Sequence, residues 1–431
     1  MSEITQKAAI RLEGRALPVV LLTIFIDVLG VSILIPVLPQ LIFQIFIPAG
    51  FSYDTSLVLL GWLTAIFPLM QFLATPVLGQ LSDRYGRKPV LIFSLIGTLI
   101  GYVIFAIGIA TKNIPLIFIG RALDGITGGN LSVARAVISD VSTPKNRTRN
   151  FGLIGACFGI GFVMGPYIGA RLASPSTSFF GLFDTPQWFG PAVPFWFAAI
   201  LAAINILCVI AFLPETHQHI NAKLKMHWAK SLTNIKRAAT HPSLRIIFTA
   251  EFLFWGGFTF FTTFFQILLI KKLGFTQANI GDFFAYIGLW IAISQAALVP
   301  FLAKRFSNAT ILKVGLFGIG FALLIQLLPN NTTQLLLVAP LIAVFNGMVI
   351  ANSSSLVSSI TGRKSQGEVL GIEASVQALA QAIPAIIAGY VAVVGINLPV
   401  IVGGISALVG GLIFTLFYRA PKKLIEDVEP V

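Results

Sequence analysis

Apolar residues run through this chain in blocks far longer than a soluble helix needs, and polar residues gather in the short gaps between them. A bilayer crossing takes about 20 mostly apolar residues as a helix. Uncharged stretches cover 28–53, 55–82, 89–111, 151–170, 185–214, 252–270 and 283–303. Two longer ones, 314–362 and 374–418, each hold two crossings, parted at Pro329-Asn330-Asn331-Thr332 and near Gly395-Ile396-Asn397. Allowing charged residues inside some helices, the pattern predicts twelve spans: 17–43, 57–80, 89–110, 114–140, 149–172, 192–213, 245–270, 278–302, 309–328, 333–360, 367–393 and 396–418. The chain is polar as far as Arg15, and the first apolar run is too long for a signal-peptide core, so it reads as a retained first span.

The longest polar stretch, Glu215 to Pro242, divides the spans into six and six. This predicts an N-terminal bundle over 1–213, a basic linker over 214–243 and a C-terminal bundle over 244–431. Within the linker, Leu224, Trp228, Leu232 and Ile235 alternate with Lys223, Lys225, Lys230, Lys236 and Arg237, the pattern of a short amphipathic helix lying on the inner leaflet. The halves echo each other. Pro76-Val-Leu-Gly-Gln-Leu-Ser-Asp-Arg follows span 2 and Pro300-Phe-Leu-Ala-Lys-Arg-Phe-Ser-Asn follows span 8, while Phe151-Gly152 and Leu370-Gly371 open spans 5 and 11.

Composition agrees with the pattern. Of 431 residues, 56% are hydrophobic and only 10% are charged, against about 25% in a soluble domain. No soluble fold could cover itself with so little charge. The net charge of +13 raises nucleic acid as a partner. Position excludes it, because the cations fall in bursts in every second loop: Arg84, Arg87, Lys88; Lys145, Arg147, Arg149; Lys304, Arg305; Arg363, Lys364; Arg419, Lys422, Lys423. The loops between are nearly bare, apart from Lys112, Arg171, Lys271 and Lys272. Lys/Arg bias of this kind marks the cytoplasmic side, so both termini are expected there. Cys157 and Cys208 lie in apolar runs as small core residues, and the lone His217-x-His219 pair sits in the linker as a solvated pair, so no metal site is expected. Nor does the chain carry a nucleophile–base set or a phosphate loop, which argues against an enzyme.

Four motifs carry chemistry. The loop after span 2 reads Gly79-Gln-Leu-Ser-Asp83-Arg84-Tyr-Gly86-Arg87-Lys88-Pro89. Here Gly79 allows close helix approach, Gly86 a tight turn, and Asp83 can cap a helix or pair with an Arg. Span 4 carries Gly120-Arg121-Ala-Leu-Asp124-Gly125, with Arg121 and Asp124 on one face. A guanidinium inside a span faces a cavity or a partner, so this is either a self-neutralising structural pair or a working one. Span 5 reads Gly155, Gly159, Gly161, Gly165-Pro166-Tyr-Ile-Gly169, small residues that permit close packing and a proline that bends the helix. In span 1, Asp27 lies about 15 Å from the predicted helix start, near the bilayer centre. A carboxylate at that depth costs about 2.5–3.5 kcal/mol. Either it is a proton site or it is simply paired with Arg121.

The string from Gly79 to Pro89 resembles the signature loop of the major facilitator superfamily. The resemblance implies an all-α membrane protein with two pseudo-symmetric six-helix bundles and a substrate site at their interface. It also implies that Gly79, Asp83, Arg84, Gly86, Arg87 and Lys88 form a conformational latch, with Asp83 bracing the cytoplasmic face near the start of span 11. The Gly161, Gly165, Pro166, Gly169 ending resembles a motif of the family's exporters. Together with Asp27 and Arg121, it makes the stretch from Asp27 to Gly169 similar to the tetracycline-resistance-like branch of the 12-helix drug:proton antiporters. One departure stands out: that branch has an acidic residue before the Tyr of span 3, and this chain has Gly101 before Tyr102. Tetracycline is therefore not named as substrate.

In the second half, Glu251 opens a ring-rich stretch with Phe252, Phe254, Trp255, Phe258, Phe260, Phe261, Phe264 and Phe265. Most such rings serve lipid contact and core packing, and Trp255 and Phe258 are the candidates to line a cavity. Glu251 is either a second proton or cation site or a group reaching interfacial water. Glu373, Gln377 and Gln381 recur every four residues on one face of span 11, with Gln295 and Asn346 as further candidate lining residues. The expectation is a monomeric, multi-pass protein of the cell inner membrane that exports small amphiphilic molecules or drugs. It would need no cofactor, being driven by the proton gradient acting through Asp27, Arg121, Asp124 and Glu251. A dedicated exporter of a metabolite, siderophore or lipid-linked sugar is the alternative; an uptake symporter or a non-transporting sensor fits the motifs less well.

Overall fold

Backbone N–H and C=O groups have no water to bond in a bilayer, so a chain this apolar pairs them within helices. The computed structural model describes residues 3–142, 146–179, 181–217, 230–241, 244–360 and 366–419. The helices are α1 (Glu3–Leu41), α2 (Tyr53–Tyr85), α3 (Arg87–Ala110), α4 (Ile114–Thr127), α5 (Asn130–Val141), α6 (Arg147–Leu172), α7 (Val193–Phe212), α8 (Lys230–Thr240), α9 (Leu244–Leu273), α10 (Gln277–Ile293), α11 (Val299–Ala303), α12 (Asn308–Ile325), α13 (Thr332–Ile360), α14 (Gln366–Val394) and α15 (Leu398–Phe417). Two π-helical turns, Ile42–Phe46 and Ser294–Leu298, prolong α1 and join α10 to α11.

Sequence fixes several helix starts directly. Asn113 Oδ1 accepts the Leu116 N–H at the head of α4, Ser307 Oγ accepts the Thr310 N–H at the head of α12, and Thr276 with Asn279 forms a reciprocal capping box on α10. Each cap pairs a donor that the helix itself leaves open.

Eleven helices among the described residues are long and apolar enough to cross a membrane. The shortfall from twelve has one cause: the predicted span 114–140 is two helices, broken at Gly128-Gly129. Both glycines adopt ψ near zero, which ends one helix and starts the next. The carbonyls at the break are met by side chains. Ser94 Oγ donates to Thr127 O, Gln71 Nε2 to Gly128 O (2.9 Å) and Ser132 Oγ to Gly129 O (2.7 Å).

The chain divides into two compact units. The first holds Met1–Leu41 and Met70–Trp228, with a core of α1, α3 and α5 side chains including Val20, Ile24, Leu91, Leu95, Val133 and Val137. The second holds Ile42–Leu69 and Ala229–Val431. Ile42–Leu69 therefore sorts with the C-terminal helices. Backbone contact explains it: a Cβ at Gly61 of α2 would meet Ala385 O of α14 at 2.7 Å, and one at Gly389 would meet Leu57 O at 3.1 Å.

The rings of α9 in the second unit are mostly core. Phe254, Phe260, Phe261, Phe264 and Phe265 are buried, with Phe261 and Phe265 stacked 4.4 Å apart. Part of the linker is the helix α8. Its buried face is Ser231, Asn234 and Ala238, and Asn234 Nδ2 donates to Ser375 Oγ (3.1 Å) and Gly371 O (3.5 Å) of α14. A polar side chain thus fixes one face of α8 on protein, while Leu232 stays exposed. Leu224 and Trp228 of the same expectation fall outside the described residues.

Candidate functional site

Four helices of the first unit bring polar groups to one buried place. On α4, Arg121 Nη1 bonds Asp124 Oδ2 at 3.0 Å, with the two side chains 5% and 3% exposed. The guanidinium also lies 5.9 Å from the Phe105 ring centroid of α3. Asp27 of α1 stands beside this ion pair. Its electrostatic neighbours are Asp124 and Asn130, the first residue of α5. Asp27 Oδ2 and Asn130 Nδ2 are both buried without a hydrogen-bond partner, so the two side chains face each other short of a made bond. The guanidinium is thus held by the carboxylate three residues on along its own helix, and that carboxylate in turn stands beside Asp27.

Tyr102 of α3 completes the cluster and was missed as a site residue. It is buried and interacts electrostatically with Asp27, Arg121 and Asp124, and a Cβ at Gly30 of α1 would run into its hydroxyl. Its signal in the sequence was only a tyrosine in an apolar run. The absence of an acidic side chain at Gly101 has a steric cause. A Cβ there would meet Asp124 N at 3.0 Å and Gly120 O at 3.1 Å, and a Cβ at Gly120 would meet Phe105 N at 2.6 Å. Helices α3 and α4 touch backbone to backbone here, and the carboxylate at this crossing comes from α4.

The glycines of α6 act on the same helix as Asp27. Added Cβ atoms at Gly161, Gly165 and Gly169 would strike Val28 Cγ1 (2.8 Å), Leu29 O (3.0 Å) and Ile33 O (2.4 Å), residues just past Asp27. Ser32 Oγ donates to Gly161 O at 3.0 Å, tying the two backbones, and Pro166 lies inside the helix between the contacts. Overpacking a tight contact costs about 1–3 kcal/mol. Gly169→Val is therefore expected to lower stability by about that much, read as a drop in the melting temperature of purified protein, whereas Gly152→Val, where a Cβ meets nothing within 4 Å, leaves it unchanged.

At the other end of this unit, the Asp83 loop is built into a charge network. Arg87 Nη1 donates to Asp83 Oδ1 (2.5 Å) and Ser82 Oγ (2.7 Å), and its Nε donates to Asp140 Oδ2 (3.0 Å) on α5. Glu215, beyond α7, accepts the Arg87 N–H (2.9 Å) and Lys88 N–H (3.1 Å) and so caps α3. Lys88 Nζ donates to Ile210 O, and Arg84 stacks on Tyr85 at 5.2 Å. Gly86 has φ +102, and a Cβ on it would lie 2.6 Å from Glu215 Oε2, so both conformation and space demand glycine. Gly79 differs from the sequence reading: a Cβ there would meet nothing nearer than Ser132 Oγ at 4.0 Å. Close packing is not what places a glycine at 79. Asp140 and Glu215 were missed as part of this network; Glu215 read only as the start of the polar stretch between the halves. Residues 361–365, just ahead of span 11, lie outside the described residues, and with them part of the expected brace for Asp83.

In the second unit, Glu251 of α9 is 3% exposed and its electrostatic neighbours are Glu373 of α14 and Ser353 of α13. Glu373 in turn accepts a hydrogen bond from Ser354 Oγ. Glu251 is thus a buried carboxyl group beside a half-buried one. Trp255 and Phe258, a ring pair 6.5 Å apart, are half-buried on the same helix, as are Gln377 and Gln381 on α14. Gln295 lies in the π-helical turn Ser294–Leu298, where a Cβ at Gly347 would approach its Cγ to 3.5 Å. Asn346 is next to that glycine, buried, with Nδ2 unpartnered. Gln295 and Gly347, the residue after Asn346, therefore meet at the contact of the π-turn with α13, and Glu251 and Glu373 at that of α9 with α14.

Set beside known proteins, the chain matches the Major Facilitator Superfamily model over residues 20–339 and 301–431. The chain belongs to the Major Facilitator Superfamily. Membership makes it a multi-pass membrane transporter and not an enzyme. Among its relatives, the class E tetracycline resistance protein of Escherichia coli is 28% identical over 95% of this chain and 89% of its own length. The class C protein of the same organism is 31% identical over 72% and 74%. The crystal structure of the human organic anion transporter MFSD10 (TETRAN) superposes with a TM-score of 0.71 at 24% identity, covering 93% of this chain and 99% of that one. This facilitator therefore combines the superfamily fold with a sequence similar to proteins named for tetracycline resistance.

Proposed function

We propose that this chain is a proton-coupled exporter of small amphiphilic molecules or drugs, working by alternating access with Asp27 as its proton site. One observation carries the reading: an acidic side chain stands in the middle of a transmembrane helix with a buried oxygen unpartnered, one residue before Val28, which packs on Gly161 of α6. A protein retains an embedded carboxylate at such a cost where it works. A proton entering from outside neutralises Asp27 and removes its repulsion from Asp124. That leaves Asp124 wholly to Arg121 and frees α1 to move against the glycine surface. Inward release of the proton restores the repulsion. Each elementary charge moved is worth about 2.3 kcal/mol per 100 mV, enough for one proton to sustain a useful gradient. No cofactor is needed in this scheme.

The pair of Glu251 and Glu373 gives the second unit its own protonatable centre, beside the half-buried rings Trp255 and Phe258. An acidic pair favours neutral or cationic amphiphiles over anions, which sets this chain apart from an organic anion transporter. The tetracycline-resistance relatives support export, and the glycine-proline ending of α6 fits it. A dedicated exporter of one metabolite is the second reading, since the bulky α9 rings suit a single shape as well as many. The protein works in the cell inner membrane as a monomer, with both termini on the cytoplasmic side, where the basic loops lie.

Purified protein in liposomes tests this. A compound that stabilises the protein against heat is expected to change lumenal pH when added across the membrane. A compound that is bound and transported with no proton movement would overturn the coupling.

A further inference from the structure

The connection from α6 to α7 differs from the others on its side of the bilayer, which are short turns such as 111–113 and 395–397. It runs from Ala173 to Ala192 and carries Asp184 as its one charge. The loop is a built element. Strands Ser178–Phe179 and Phe183–Asp184 pair antiparallel, with Ser178 opposite Asp184 and Phe179 opposite Phe183, and Gly181 turns the tip at φ +72. Its base is pinned by Ser176 N–H to Thr185 O (2.9 Å), Thr185 N–H to Thr177 O (2.9 Å) and Thr185 Oγ1 to Ser174 O (2.6 Å). Phe179 stacks on Phe183 at 5.4 Å and tilts against Tyr167 of α6 at 6.1 Å.

On this firm base stand apolar side chains that are largely exposed, Trp188 with only the edge of Phe189 against it at 4.6 Å. Leu182 is 80% exposed, Phe183 56% and Trp188 74%. Water is a poor neighbour for such a group, and the chain on either side indicates what replaces it. The loop leaves one membrane span and enters another, so it is tethered to the bilayer surface at both ends. Downstream, Trp196, Ile200, Ile204 and Leu207 are exposed at three- and four-residue intervals along α7, which is its lipid-facing stripe. The exposed rings continue that apolar surface backwards along the chain. Tryptophan at a bilayer boundary sits at headgroup depth, with its ring in the apolar layer and its N–H toward water. The sparse charge also fits, since a loop made for bulk water would carry more.

We propose that the 178–189 hairpin is an interfacial anchor. Leu182, Phe183 and Trp188 insert into the headgroup–acyl boundary of the leaflet opposite the basic loops. Because the hairpin is clamped at Ser174 and Thr185 and leans on Tyr167, it holds the end of α6 at fixed depth. The glycine ladder on that helix then gives α1 a fixed surface to slide against.

Full-length protein in lipid nanodiscs tests the proposal. The chain has six tryptophans, so the Trp188 contribution is taken as the difference between wild type and Trp188→Phe. The expected result is loss of that component in lipids brominated high on the acyl chain, with little loss to aqueous acrylamide. Quenching by acrylamide alone places Trp188 in water and overturns the proposal. Quenching by neither places it in a protein contact, with a partner or a second copy, and overturns it too. If Trp188→Phe fails to fold, a nitroxide at Leu182→Cys, in a background with Cys157 and Cys208 replaced by Ser, decides the same question. Collisions with oxygen should exceed those with a water-soluble nickel chelate, and the reverse order sinks the anchor.

Discussion

Asp27→Asn protein, reconstituted in liposomes, is expected to bind substrate and to move no protons against it. The amide matches the carboxylate in shape and can still face Asn130, so the fold and the α1–α6 contact should survive. It cannot gain or lose a proton. Removing a carboxylate from mid-span also relieves about 2.5–3.5 kcal/mol of insertion cost, so the variant should be no less stable than wild type. Substrate-driven change in lumenal pH should fall to the level of protein-free vesicles, while heat stabilisation by the same compound persists. Wild-type proton movement from Asp27→Asn would exclude Asp27 and leave the Glu251–Glu373 pair as the place to look.

The Arg121–Asp124 pair separates structure from function in a second experiment. Both groups are buried, and the bond between them is 3.0 Å. Breaking a buried ion pair from one side leaves an uncompensated charge and costs about 3–5 kcal/mol, whereas replacing both partners with apolar groups of similar volume is often neutral. Arg121→Met alone should therefore express poorly and melt well below wild type. Arg121→Met with Asp124→Leu should recover most of that loss. If the recovered double variant also transports with normal coupling, the pair is a structural plug. If it folds and binds but no longer couples, the repulsion between Asp124 and Asp27 is part of the cycle. Melting temperature and lumenal pH, measured on the same preparations, distinguish the outcomes.

Much of the architecture was legible because membrane spans are written in long apolar runs that need no tertiary information. Span boundaries moved outward, as at α1 and α2, since a helix continues into the interface past the last apolar residue. What the pattern hid were matters of partnership. Gly128-Gly129 looks like any small-residue patch in a span, and only the approach of Gln71 and Ser94 makes it a break. Glu215 looks like the first charge of a linker until its carboxylate is found on the Arg87 and Lys88 amides. Arg121 and Asp124 were legible as two charges on one helix face, but the spacing did not show that Asp124 also stands beside Asp27. The α6 glycines were legible as a packing surface, but nothing in their spacing named α1 as the helix they touch.

The interrupted fourth span also bears on how the protein is made. At 1.5 Å per residue, the 14 residues of α4 and the 12 of α5 extend only about 21 Å and 18 Å, each short of a hydrocarbon layer about 30 Å thick. Neither piece can leave the insertion machinery as a finished crossing, and the bare carbonyls between them would be stranded in lipid. Ser94 and Gln71 belong to helices synthesised earlier, so the donors are already waiting when the gap emerges. Integration of this segment is thereby tied to its predecessors, and the first half assembles as a cooperative batch instead of one helix at a time.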